Sequence, residues 1–283
     1  MFLGKEEIRI DSAVAKNLER WFLNYVREFK MSDTASQQNI LLKEEHTKRV
    51  CWEIRSLGQQ IGLGKDDLRL LEMIALFHDI GRFEQYSRYH TFVDRCSEDH
   101  AELGVTILER YGILDSLGEA TKSLILRTIR YHNRATLPRE ETEPCLFFTK
   151  ILRDADKLDI WKVVTDYYHQ ENGKRNGALE LDLPDTAGFS NAVYQDLVKR
   201  EIVKIHNVKN LNDFKLLQVG WIFDINFEPT LRAVLSRHYL EMIRDVLPKS
   251  EKIDDIFATI QAYVHERLGD SAPIEKRTEE KSD

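Results

Sequence analysis

His78 and Asp79 stand side by side at the end of an apolar run, Leu70-Leu71-Glu72-Met73-Ile74-Ala75-Leu76-Phe77, and Ile80-Gly81-Arg82 follows at once. An imidazole and a carboxylate both want hydrogen-bond or metal partners, and burying them without any costs free energy. Four other residues can converge on the pair: His46, His100, His132 and Asp156. Imidazole nitrogen and carboxylate oxygen suit divalent cations. The order His…His-Asp…His…His…Asp therefore reads as a metal-dependent hydrolase centre. A single cation could satisfy His46, His78, Asp79 and Asp156 together.

Each residue alone also has a plainer reading. His46 lies between Leu42 and Val50 on an apolar stripe, where a lone histidine is more often a satisfied core residue. His132 follows Thr128 and Ile129 by one turn, and His100 shares a line with Gly104 and Ile107. Asp156 is harder to explain away. Leu152, Ile160 and Val163 share its helical face, so a carboxylate sits inside an apolar stripe in mid-helix. Asp154 points elsewhere, with Lys150 and Lys157 at helical spacing, and reads as a surface ion pair. Asp159 could cap, pair with a cation, or orient a ligand histidine.

The elements that must carry these groups are helical. Pro is scarce and strand-like alternation is rare. A first helix is expected over about Ser12 to Lys30, with Leu18, Trp21, Phe22, Tyr25, Val26 and Phe29 on one side. A second runs from about Ala35 to Ile61, its stripe Leu42, His46, Val50, Ile54, Leu57 and Ile61 close to the helical period. A short helix opens at Asp66-Asp67 and ends near His78-Asp79, with Gly81 as its stop. A polar loop is expected from Arg82 to Cys96, then a helix capped at Ser97 that runs to Tyr111. Further helices are expected over about Asp115–His132 and Leu146–Tyr168. Asn172, Gly173, Asn176, Gly177, Pro184, Gly188 and Asn191 mark a long loop, with an extended piece at Ala178–Leu183. Helices over Asn191–Lys204, Asn212–Val246 (broken near Asn226–Pro229) and Ser250–Leu268 complete the chain.

The 283 residues carry Lys+Arg 41 against Asp+Glu 48, a formal charge of −7. Such a balance does not give a general nucleic-acid footprint. Cys51, Cys96 and Cys145 are far apart and odd in number, as in reduced thiols of a cytoplasmic protein. The N-terminus meets charges too early for a signal peptide, and no apolar run approaches a membrane span. We expect residues 1–35 as an N-terminal helix on the core, 36–170 as the metal-binding core, and 171–268 as a C-terminal helical extension of the same globule. Residues 269–283, almost wholly polar, are expected to be a disordered tail.

His46, the stretch Ala-Leu-Phe-His-Asp-Ile-Gly-Arg at 75–82 and Arg-Asp-Ala-Asp-Lys-Leu-Asp at 153–159 together resemble the HD-domain metal-dependent phosphohydrolases, over about residues 40–170. The resemblance implies an all-α, HD-domain-like helical bundle, here with additional C-terminal helices. It implies a metal held by His46, His78, Asp79 and Asp156. His100 and His132 match, in order, the two further histidines with which many members bind a second metal, the doublet Asp bridging. The Gly-Tyr-Pro motif of the cyclic-dinucleotide branch is missing, since Asn133-Arg134-Ala135-Thr136-Leu137-Pro138 follows His132. That substrate is therefore not carried over.

A bound divalent cation (Mn, Fe, Co, Ni, Zn or Mg, one or two per chain) lowers the pKa of its water and yields a hydroxide nucleophile. Asp79 would serve both ions. Lys157 and Arg82 are the leading phosphate-clamping cations, with Lys150 and Arg134 behind them. Glu84, Glu98 and Asp99 are candidate proton donors. Aromatics of the loop after Phe83 would either stack on a base or pin the loop. The expected substrate is a nucleotide or another small phosphorylated metabolite, with no membrane partner. Two rival readings are a metal-binding signalling protein with little turnover and a di-iron oxygenase on the same ligands.

Overall fold

A computed structural model describes residues 8–170 and 175–269. Its described residues are helical throughout, with no β-strand. The tail expected at 269–283 lies outside them except for Gly269, as do Asn172 and Gly173 of the long loop.

Thirteen α-helical segments occur among the described residues. α1 (Ser12–Arg27), α2 (Thr34–Gln60) and α3 (Lys65–Phe77) open the chain. α4 (Gly81–Tyr89), α5 (His100–Arg110), α6 (Glu119–Tyr131) and the long α7 (Glu143–Tyr168) follow. Beyond it come α8 (Gly177–Glu180), α9 (Asn191–Val198), α10 (Leu211–Gly220), α11 (Glu228–Ser236), α12 (Tyr239–Asp245) and α13 (Glu251–Leu268). α2 lies against α3 and α7, α4 against α5, and α6 bridges α5 and α7. α11 and α12 pack on the far side of α7.

The apolar stripes are what drive this arrangement. On α2, Ile40, Val50, Ile54 and Leu57 are buried, and Asp33 caps the helix by accepting from Ser36 N at 2.7 Å. α1 covers α3 and α4 with aromatics, the Phe22 ring lying 6.3 Å from Phe77 and 6.0 Å from Phe83. Such edge-on pairs add to the burial of the rings themselves. Buried apolar residues from Ile10 to Leu268 form one connected core.

Several expected boundaries are corrected. The polar loop at 82–96 is instead mostly α4 and a short 3-10 turn at Asp94–Cys96. Arg82 and Gln85 turn inward rather than to solvent. Arg82 donates to Gln85 and to Phe92 O, and Gln85 donates to Ser97 Oγ at 2.9 Å and Glu98 O at 2.8 Å. Gly81 is therefore not a helix stop but the first residue of α4. A Cβ there would lie 2.1 Å from His100 O and 2.8 Å from Gly104 N, so only glycine lets α4 approach α5 this closely. Asp99, not Ser97, caps α5, accepting from Ala101 N at 2.9 Å. α6 starts at Glu119 rather than near Asp115.

Residues 178–183 are not extended. Asn176 accepts from Ala178 N at 3.0 Å and starts the turn α8. α9 stops at Val198, well short of Lys204, because Arg200 turns to a φ of 60°. The segment expected as one broken helix at 212–246 is α10, a 3-10 turn at Trp221–Asp224, α11 and α12, the last two separated at His238, whose φ is 57°. No helix among the described residues is long and apolar enough to cross a membrane.

Candidate metal centre

Six side chains from five helical neighbourhoods meet between α2 and α7. His46 comes from mid-α2 and Asp156 from mid-α7. His78 and His132 are the residues that end α3 and α6, and His100 begins α5. Asp79 follows His78 directly. All four histidines and Asp79 are buried.

The orientation of each ring is set through Nδ1. His78 Nδ1 lies 2.7 Å from Ala75 O, and His132 Nδ1 lies 2.6 Å from Ile129 O. A carbonyl only accepts, so these two nitrogens carry their protons and leave a lone pair on Nε2. The other two rings are backed by carboxylates. His46 Nδ1 is 2.7 Å from Asp159 Oδ2, and His100 Nδ1 is 2.8 Å from Asp94 Oδ2. Arg49 in turn holds Asp159 with two hydrogen bonds. Carboxylates and carbonyls on the outer nitrogen are what a metal-binding imidazole needs to fix its tautomer and raise its basicity.

The four Nε2 atoms point inward. His46 Nε2 is 3.1 Å from Asp156 Oδ1 and 3.4 Å from His78 Nε2. His100 Nε2 is 3.1 Å from His132 Nε2. Asp79 stands between the two pairs. Its Oδ2 is 3.5 Å from His46 Nε2 and 3.8 Å from His78 Nε2, while its Oδ1 is 3.3 Å from His100 Nε2 and 3.8 Å from His132 Nε2. Two donor groups result, His46–His78–Asp156 and Asp79–His100–His132, each with its ligand atoms within 4.8 Å of one another. A buried set of facing lone pairs and carboxylate oxygens is poorly satisfied by its own members. Its nitrogen and oxygen donors fit one or two first-row divalent cations, the identity open.

Burial opposes ionisation of Asp79, but Lys43, His78, His132 and Arg82 outweigh it and hold the carboxyl well below its ordinary range. Asp156 is likewise held well down, against burial, by His46 and His78. Burial and Arg82 push the His100 imidazole down to about 4, Asp94 opposing, so this ring is neutral at neutral pH. Burial and Lys43 also pull His46 down, but Asp156 and Asp159 prevail and raise it. A cation would compete with that proton for the same nitrogen.

Other expected residues fall differently. Asp154 is not a surface ion-pair partner. It is fully buried and accepts from Asn226 N at 3.1 Å and Phe227 N at 2.9 Å, which holds the segment after the 3-10 turn against α7. Burial raises its pKa. Arg82 and Lys157 both line the cleft beside the centre, yet both are engaged. Arg82 binds Asp94 at 2.8 Å, and Lys157 Nζ binds Asp224 Oδ2 at 2.7 Å. Arg134 also lines the cleft, whereas Lys150 is exposed and does not line it. None of the three candidate proton donors reaches the cleft. Glu84 is bound by Arg88 and Arg110, Glu98 is paired with Arg88, and Asp99 caps α5. Of the aromatics after Phe83, Phe92 lines the cleft, while Phe83 and Tyr86 are buried in the core.

Two residues were not foreseen. Lys43 places Nζ 2.9 Å from Asp79 Oδ2 and 5.3 Å from the Phe92 ring centre. Its spacing of three from His46 puts it on the same face of α2, which was the available signal. Asp94, the partner of His100, had none, because the fold of 81–96 was needed to place it.

Residues 44–161 match the family model of the HD domain. No curated protein and no solved structure matches the chain. The matched segment begins two residues before His46 and ends five after Asp156, so it encloses all six converging side chains. Residues 44–161 are thus similar to the HD domain, and the candidate metal centre lies wholly within that match.

Proposed function

We propose that the chain is a metal-dependent phosphohydrolase acting on a nucleotide or another small phosphorylated metabolite. The observation that carries this reading is the pair of buried donor groups sharing Asp79, with Nε2 lone pairs aimed at one another. A divalent cation bound there supplies Lewis acidity toward phosphoryl oxygen and a water acidic enough to ionise near neutral pH. His46, His78 and Asp156 would hold one ion, and His100 and His132 another. Asp79, with one oxygen toward each group, would keep the two in register. Asp159, Asp94, Ala75 O and Ile129 O keep the imidazoles in the ligand tautomer.

The centre opens on a cleft of about 720 Å³ whose wall includes His132 and Asp156. Six cations, Arg82, Arg95, Arg134, Arg153, Lys157 and Lys204, line it against three carboxylates, Asp94, Asp156 and Asp224. A net positive cleft on a chain of formal charge −7 supports an anionic substrate. Lys157 and Arg153 both bind Asp224, beside Asp156 on α7. Lys43, with Nζ 2.9 Å from Asp79 Oδ2, adds a further cation beside the centre.

Elemental analysis of the purified chain tests the metal content. About two ions per chain are expected, falling to about one in the His100→Ala, His132→Ala double variant and to none in Asp79→Ala. A screen of phosphomonoesters, phosphodiesters and nucleotides should find hydrolysis that Asp79→Ala abolishes. An iron-loaded protein that consumes dioxygen and hydrolyses no phosphate ester would overturn the reading in favour of oxygenase chemistry.

A further inference from the structure

Two stretches of the chain line the cleft. Most of its basic residues belong to the HD-matching segment, and most of its apolar ones come after it. From that later stretch come Leu183, Val203, Ile205, Val208 and Trp221. Ile160 of α7 completes the apolar surface. Ile205, on a 3-10 turn, lines the cleft and is 53% exposed, so its aliphatic side chain is open to a bound molecule. No residue after 180 that lines the cleft carries a side-chain amide or hydroxyl. Apolar side chains outnumber Lys204 and Asp224 there, so most of this wall offers a bound molecule apolar contact. An alkyl or other apolar body loses nothing there and gains from burial.

Charge fixes which way such a molecule lies. Arg153 and Lys157, both buried, line the cleft and both bind Asp224. Both flank Asp156 on α7, with Ile160 one turn further on, so an anionic head is drawn toward Asp156 while an apolar body is left against the wall. A volume of about 720 Å³ exceeds what a bare phosphate or a triose phosphate needs and is in the range of drug-sized ligands.

We propose that the substrate is an amphiphilic phosphomonoester, its phosphate at the histidine–aspartate centre and its apolar body on the wall formed by Leu183, Val203, Ile205, Val208 and Trp221. The proposal rests on the phosphohydrolase reading for the position of the phosphate. The wall itself is defined independently of any reaction.

Calorimetric titration of the full-length, Mn-loaded protein with methyl-, butyl- and octylphosphonate tests it, since phosphonates bind without being cleaved. Each methylene removed from water is worth about a fourfold gain in affinity. Octylphosphonate is therefore expected to bind at least ~100-fold more tightly than methylphosphonate, and more tightly than the phosphonate analogue of a nucleoside monophosphate. Ile205→Asp, a change at an exposed position, should weaken octylphosphonate about tenfold and leave methylphosphonate unchanged. Leu183→Ala should do the same from inside the wall. A flat series, a nucleoside phosphonate that binds best, or a steep series unmoved by both variants would each overturn the proposal. Phosphate-ester hydrolysis together with a flat series removes the amphiphile and keeps the hydrolase. A steep, variant-sensitive series without hydrolysis of any ester, octyl phosphate included, removes the hydrolase and keeps the wall.

Discussion

Asp159 touches no cleft-lining atom, yet its carboxylate fixes His46 from behind and is itself fixed by Arg49. Replacing it with Asn keeps the shape and removes the charge. Outer partners of this kind commonly account for 10–100-fold in metal affinity. Asp159→Asn is therefore expected to weaken metal binding by about that factor in a chelator-competition titration, with the far-UV circular dichroism unchanged. An unchanged affinity would show that α2 alone aims the ring. Residue by residue, the sequence was most legible where a polar group interrupted an apolar stripe. Asp156 and the His78-Asp79 doublet were visible for that reason, and all three reach the cluster. Asp154 was misread because its partners, the backbone amides of Asn226 and Phe227, are seventy residues away and leave no local pattern. Lys157 and Arg82 were found as cleft cations, but the carboxylates that hold them, Asp224 and Asp94, come from segments only the fold brings near.

Among the elements, the contact between α4 and α5 carries the most consequence. α4 follows directly from the Asp79 end of α3, and α5 begins with His100, so the spacing of these helices sets the distance between the two donor groups. A methyl group at residue 81 would collide with backbone, which cannot rotate away as a side chain can. Gly81→Ala is expected to cost about 3 kcal/mol, the upper end of the usual overpacking penalty, in chemical denaturation. It should also lower the metal content from about two ions to about one, with loss at the His100–His132 group. Retention of both ions with full stability would mean the helices separate freely. Long amphipathic helices such as α2, α6 and α7 were legible because their periodicity spans several turns. α4 was not, since Arg82 and Gln85 spend their hydrogen bonds on Asp94, Ser97 and Glu98, and composition alone reads such a stretch as a loop. The turn α8 and the early end of α9 depend on single side-chain caps and on one left-handed residue, signals too short for a periodicity argument.

At the scale of the molecule, one apolar core runs from Ile10 to Leu268 and joins the HD segment to the helices after it. Trp161 is fully buried and donates to Gln218 O at 3.0 Å, and Arg237 reaches back to Glu53 of α2. Thermal unfolding of the intact chain should therefore show a single cooperative transition. Two separated transitions would mean that the extension melts independently. Saturating metal should raise the midpoint, because a ligand present at 100 times its Kd stabilises by about 2.7 kcal/mol. Excess chelator should reverse the rise. The sequence made the helical class and the HD resemblance plain, but the cleft was hidden, because its two ends come from stretches that are distant along the chain. That division has a thermodynamic corollary. α7 carries Asp156 toward the metal and, on neighbouring turns, holds the 3-10 turn of the wall through Arg153, Lys157 and Asp154. Occupancy of the wall and occupancy of the centre are then linked functions. By whatever factor a bound apolar body alters the affinity for the ion, the ion alters the affinity for that body by the same factor.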